Sequence, residues 1–179
     1  MREYPLLDEV IRFHGHSCPG LISGYRVAMA VRDRFEPARS EDEELVAVVE
    51  NDSCAVDAVQ VILGCTFGKG NLIFKDHGKH VYTFFRRDGS NRALRIRVKK
   101  LALPPDATRE QVTEALLTAK EEDLLSITEV PLPPPRPARI EPSQQCHQCG
   151  EETMESRLRV HQGQLLCIPC WEQARAGAG

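Results

Sequence analysis

Four cysteines near the C-terminus stand in two pairs, Cys146-x2-Cys149 and Cys167-x2-Cys170, with seventeen residues between the pairs. A two-residue gap lets both sulfurs of a pair face one ion, and two such pairs close a tetrahedral zinc site. Gly150 follows the first pair, where a knuckle turn needs positive φ. Arg157–Val160 and Gln164–Leu166 flank Gly163 as a hairpin, and Pro169 with WEQARA opens a helix at the second pair. The N-terminal end of that helix favours thiolates. The expectation is a treble-clef or zinc-ribbon module holding a structural Zn²⁺. The ion would supply on the order of 10 kcal/mol to the folding of so short a segment.

A second constellation lies near the N-terminus. His14, His16 and Cys18 alternate in FHGHSCPG, and residues two apart share a side of an extended chain. Cys18 precedes Pro19 at a predicted helix start. Cys54 follows Ser53, the predicted N-cap of another helix. Helix N-termini favour the thiolate. Asp57 lies one turn beyond Cys54, and Cys65 sits in the loop GCTFGKGN just past that helix. Soft sulfur with imidazole suits Zn, Ni, Cu or Fe. His16, Cys18, Cys54 and Cys65 are the expected ligands of a second soft metal, with His14 as a further candidate. Asp57 would orient a ligand or act as a base. Two other readings stay open, that these cysteines are simply small buried apolar residues or that Cys18 and Cys54 form a redox pair. GCTFGKGN is not a phosphate loop, because it lacks the GK[ST] ending and follows a helix rather than a strand.

The elements that must position these residues follow from hydrophobic period. Leu6, Leu7, Val10 and Ile11 share a helical face after Pro5, and a second helix runs from Pro19 to about Phe35. LVAVVE at 45–50 reads as a buried strand, and 53–64 as a helix stopped by Gly64. Leu72–Phe74, His80–Arg86 and Ala93–Lys99 read as strands, the last two joined through Asp88-Gly89, and Thr108–Glu122 as a final helix. The class is α+β, with helices packed on a mostly antiparallel sheet. Six of the twelve prolines fall in 131–145, where missing N–H donors exclude helix and central strand. The expected organisation is a core domain 1–130, an extended proline-rich spacer 131–145, and the zinc module 146–179.

The chain has 179 residues with a net charge of −3. As a whole it has no electrostatic footprint for nucleic acid, and the cysteine module carries no lysine. Seven cysteines without an export signal point to reduced thiols and a cytoplasmic protein. No apolar run is long enough to span a bilayer. Residues 75–100 hold nine Lys or Arg against two Asp. Arg95 and Arg97 alternate with Leu94, Ile96 and Val98 on one strand, so that strand has a basic face. Arg86, Arg95 and Arg97 are candidate anion-binding residues.

HGHSCPGLISGYRVAMA, then CAVDAVQVILGCTFGKGNLIFKDHGKHVYTF, then the CxxC…CxxC tail, resembles the FmdE family, named after the E-type subunit of formylmethanofuran dehydrogenase. The resemblance covers about residues 11 to 100 and the tail. HxHxCPG falls on His14, His16, Cys18, Pro19 and Gly20. CxxDAxQ falls on Cys54, Asp57 and Gln60, and GCTxGxGN on Cys65, Thr66, Gly68, Gly70 and Asn71. The resemblance implies an α+β core, often dimeric, with a His/Cys-rich metal-associated site and a C-terminal treble-clef zinc domain. It also implies an accessory subunit or partner of a molybdenum or tungsten oxidoreductase. This chain carries no ferredoxin spacing for the redox chemistry itself. Two alternatives stand beside it: a small standalone metal- or thiol-dependent enzyme acting on an anionic substrate, and a nucleic-acid-binding regulator working through the zinc module.

Overall fold

The computed structural model describes residues 4–35 and 39–177. The chain divides into two compact units, Met1–Ala138 and Arg139–Gly179.

The first unit runs α1 (Leu7–His14), α2 (Pro19–Arg32), β1 (Leu45–Val49), α3 (Ala55–Leu63), β2 (Leu72–Phe74), β3 (Val81–Arg86), β4 (Ala93–Val98), α4 (Arg109–Thr118), α5 (Glu121–Leu124) and β5 (Leu125–Val130). Its sheet has the order β2-β1-β3-β4-β5. Only β1 and β2 are parallel, and α3 is the crossover between them. The other pairs are antiparallel, so the α+β expectation holds.

Strand alternation sorts the sheet residues onto two faces. Leu45, Ala47 and Val49 of β1, Tyr82 and Phe84 of β3, and Leu94 and Ile96 of β4 pack in one cluster with the buried face of α2 and α3. Each fully buried Val, Leu, Ile or Phe side chain there is worth about 1.5–3 kcal/mol. The opposite face carries a smaller cluster of Val46, Val48, Phe85 and Ala93, joined by Ile73 and Val130.

Two expectations are corrected here. The helix expected over Thr108–Glu122 ends at Thr118, because Ala119 and Lys120 take extended ψ values of 148° and 147°. One short helical turn then leads into β5, an edge strand that the hydrophobic period did not disclose. The proline-rich stretch is not a free spacer throughout. The Arg87 guanidinium donates to Pro135 O at 3.1 Å, and the Ala138 N–H donates to Glu43 at 3.2 Å. Leu132, Pro133 and Pro135 line a cleft of about 560 Å³ with Val48, Ile73 and Phe85. The apolar residues on the second face of the sheet give this segment a surface to lie on.

The second unit holds β6 (Ser143–Gln145) paired with β7 (Glu152–Met154), β8 (Leu158–His161) paired with β9 (Gln164–Cys167), and α6 (Ile168–Ala176). β6 falls within the stretch read as spacer. Among the described residues no helix is long and apolar enough to cross a membrane.

Candidate functional site

In the first unit, His14, Cys18 and Cys54 each offer one ligand atom, and all three atoms lie within 4.8 Å of one another. Each arrives from a helix end. His14 is the last residue of α1, which stops because Gly15 adopts φ 92° and its N–H donates to Ile11 O at 2.8 Å. Cys18 is the N-cap of α2, and its sulfur accepts the Leu21 N–H at 3.4 Å. Cys54 precedes α3.

Gly24 brings the two thiols together. A Cβ at that position would stand 2.2 Å from Ala55 O and 2.4 Å from Ala55 Cα. Only a glycine permits α2 and the first turn of α3 to meet backbone to backbone. Ser53 does not cap α3 as expected. Its hydroxyl donates to Asn51 Oδ1 at 2.6 Å, and the same oxygen accepts the Tyr82 hydroxyl at 3.3 Å.

Asp57 sets the imidazole. His14 Nδ1–H donates to Asp57 Oδ2 at 2.7 Å, which turns Nε2 toward the Cys18 sulfur 3.9 Å away. Gln60 donates to the other Asp57 oxygen at 3.3 Å. This is the outer carboxylate that metal-ligating histidines typically have. With both oxygens engaged, Asp57 acts as a positioning residue rather than as a free base.

The electrostatics of the two thiols differ. Burial opposes ionisation of Cys18, but the hydrogen bonds from the Leu21 N–H, Cys54, His14 and Arg109 outweigh it, and the net direction is down. Cys54 is pushed up, first by burial and then by Cys18. One thiolate therefore discourages the second, and a cation between them would hold both. The donor set, two sulfurs and an oriented imidazole, fits a soft divalent ion with one position left open.

His14 is raised above its ordinary value of 6.5, chiefly by the Asp57 hydrogen bond. A raised folded-state value contributes stability that is fully present below the ordinary value and is lost as pH rises through the folded one. In metal-free protein the His14 ring proton should titrate above 6.5 by NMR, and the midpoint should fall in Asp57→Asn. An unchanged midpoint would remove Asp57 from this role.

Several sequence-derived candidates lie elsewhere. The His16 ring centroid is 4.6 Å from that of His14, but His16 is exposed and outside the ligand cluster. His14 takes the place expected of His16, because only His14 ends a helix facing Asp57. Cys65 is fully buried and donates to Leu45 O at 3.5 Å, and burial pushes its thiol up to about 12. The glycine-rich loop around it is held by Asn71, which bonds Leu45 O at 2.9 Å and the Thr66 N–H at 2.9 Å. That motif organises the loop and supplies no ligand.

Arg86, Arg95 and Arg97 do not converge either. Strand alternation puts Arg86 on the helix-covered face, where it lies over the Phe35 ring and beside Asp88, while Arg95 and Arg97 are on the other. Arg95 sits 3.8 Å from Glu50. Arg109, beside Cys18, is the residue that sequence reasoning missed. The Thr108–Gln111 capping box announces its helix, but nothing local announces its neighbour.

In the second unit, Cys146, Cys149, Cys167 and Cys170 form one cluster with ligand atoms within 4.8 Å of one another. The Cys149 and Cys167 sulfurs are 3.8 Å apart, the edge of a tetrahedron whose zinc–sulfur bonds are about 2.3 Å. The Cys167 N–H donates to the Cys146 sulfur at 3.2 Å, and Gly150 takes φ 75° in the knuckle. Backbone N–H groups, those of Cys149 and Cys167 first, lower the Cys146 thiol to about 6. Trp171 packs on the cluster, and the Arg175 guanidinium lies 4.7 Å from its ring centroid.

Comparison with known proteins agrees with both units. The Prokaryotic dksA/traR C4-type zinc finger matches residues 139–173, so family match and sulfur geometry together support a zinc site there. A curated "Probable S-adenosyl-L-methionine-binding protein" of Archaeoglobus fulgidus is 29% identical over 195 residues, covering 92% of this chain and 52% of the relative. The chain thus spans about half the length of that relative. The crystal structure of an FmdE-like protein of the tungsten formylmethanofuran dehydrogenase type, from Syntrophus aciditrophicus, shares the fold. It superposes with a TM-score of 0.71 at 21% identity, over 97% of this chain and 94% of that one. The family described as FmdE, Molybdenum formylmethanofuran dehydrogenase operon, matches residues 13–131, a span that holds His14, Cys18, Cys54 and Asp57 together with all five strands of the core sheet. On that match, the chain belongs to the FmdE family.

Proposed function

We propose that this FmdE-family protein binds a second soft metal, zinc or similar, through His14, Cys18 and Cys54, and serves a molybdenum or tungsten formylmethanofuran dehydrogenase-type oxidoreductase as an accessory protein. The convergence of the three ligand atoms, with His14 oriented by Asp57, carries the metal reading. The family's own description, which names a molybdenum formylmethanofuran dehydrogenase operon, supports the accessory reading. When bound, the ion would offer one open coordination position that can polarise an oxygen donor. The chain's residues position that opening: Asp57 holds the imidazole, and the Leu21 N–H at the start of α2 holds the Cys18 sulfur.

Elemental analysis tests the metal reading. The wild type should carry two metal ions per chain, and Cys18→Ala with Cys54→Ala should carry one. One ion per chain in both proteins would confine metal to the cysteine module and overturn it. Affinity capture from the native cell tests the accessory reading. Recovery of molybdenum or tungsten oxidoreductase subunits supports it. Recovery of a homodimer alone, turning over a substrate unaided, would favour the standalone enzyme.

A further inference from the structure

We propose that the core site takes an anionic ligand of the carboxylate class and that Arg109 recognises its charge. The inference deepens the metal reading above and rests on it. Arg109 is the first residue of α4. Its guanidinium is hydrogen-bonded to the Cys18 sulfur, beside the open position.

That placement is built into the packing of α4 against α2. The Arg26 guanidinium donates to Leu116 O at 2.6 Å, Leu117 O at 3.0 Å and Ala119 O at 2.8 Å. It therefore closes the C-terminal end of α4, whose carbonyls lack partners within the helix. Eight residues separate Cys18 from Arg26, and eight separate Arg109 from Leu117. At about 1.5 Å per residue both intervals span about 12 Å. The two helices run side by side in the same direction, and the Arg26 clamp at one end sets Arg109 at the thiols at the other. The Thr108–Gln111 capping box holds that first turn of α4.

Charge then selects the ligand. Two thiolates balance a divalent ion, and the imidazole is neutral when ligating. The Asp57 carboxylate is engaged with His14 and Gln60. Arg109 is exposed, and no carboxylate of the described residues pairs with it. Its guanidinium has five N–H donors in a planar fork that matches a carboxylate. One of them serves Cys18, and others remain for a ligand. A monoanion at the open position would be neutralised by this one charge, and a planar one would meet the fork in two hydrogen bonds.

The test uses the full chain loaded with Co²⁺ and titrated with acetate, followed by cobalt d–d absorption. The closed four-sulfur site contributes no acetate-dependent change, so any response reports the core. The wild type should bind two cobalt ions and show a saturable acetate response. Arg109→Gln should keep both ions and the sulfur-to-cobalt charge-transfer band, with acetate affinity at least tenfold weaker. Arg109→Lys, which keeps the charge and loses the fork, should fall between them and guards against misreading a folding defect. Two cobalt ions with unchanged acetate affinity in Arg109→Gln, or no acetate response in the wild type, overturn the anion inference alone. One cobalt ion per chain overturns the metal reading and the anion inference with it.

Discussion

Removing zinc with a strong chelator should unfold residues 139–179 while the core sheet stays folded. Segments below about 40 residues rarely bury enough apolar surface to fold without a metal or cross-link. In this unit the buried cluster is Cys146, Leu166, Cys167 and Cys170, with Trp171 and Ala174 against it. Three of those six are metal-ligand cysteines, so the centre of the unit is the ion site itself. Without the ion, the sulfurs face one another at 3.8 Å, and Cys146, ionised above about 6, has no counter-charge. Zinc binding in such sites contributes on the order of 10 kcal/mol, more than the unit's few apolar contacts can replace. Hydrogen exchange should show amide protection collapsing between Cys146 and Cys170 and persisting in β1, β3 and β4. Cys170→Ser should reproduce this loss with the core intact. Retained protection across the cysteine module after complete zinc removal would show that the unit folds by other means.

Gly24→Ala should be the most damaging small substitution in the core. In an ordinary helix interior the change is worth up to about 1 kcal/mol in favour of alanine. Here the new methyl would meet Ala55 O at 2.2 Å, Ala55 Cα at 2.4 Å and Ala55 C at 2.6 Å. These are backbone atoms, which cannot rotate away, so α3 must move bodily. Overpacking costs of this kind run to about 3 kcal/mol, and the net sign is destabilising. The displacement also carries Cys54 away from Cys18, so the second metal ion should be lost even where the fold survives. Gly68→Ala is the control, since nothing lies within 4 Å of its Cβ position. Denaturant midpoints and metal content together check the prediction. A Gly24→Ala protein with wild-type stability and two metal ions would show that α2 and α3 are not locked at this crossing.

Residue type and spacing alone determined several features of this protein. Two CxxC pairs seventeen residues apart define a four-sulfur site wherever the chain goes, because a pair on one knuckle needs only local geometry. Hydrophobic period placed α2, β1, α3, β3 and β4, since each buries a continuous apolar face. It failed at β5, a half-exposed edge strand directly after a helical turn, where alternation is short and both neighbours are polar. The motif residues around the core site were also legible, but not their partition.

Tertiary structure decided which of those residues meet. Cys65 and Cys54 look alike in sequence, each beside a glycine or serine at a helix end. The β1–α3–β2 crossover buries one under the sheet and leaves the other at the exposed end of α3. His14 and His16 differ only by which one faces Asp57, forty-three residues away. The two faces of the sheet separate Arg86 from Arg95 and Arg97, while parallel packing of α4 on α2 delivers Arg109 from more than ninety residues downstream of Cys18. Long-range convergence depends on the crossing of packed helices and on strand parity, and neither is written in any window of local sequence.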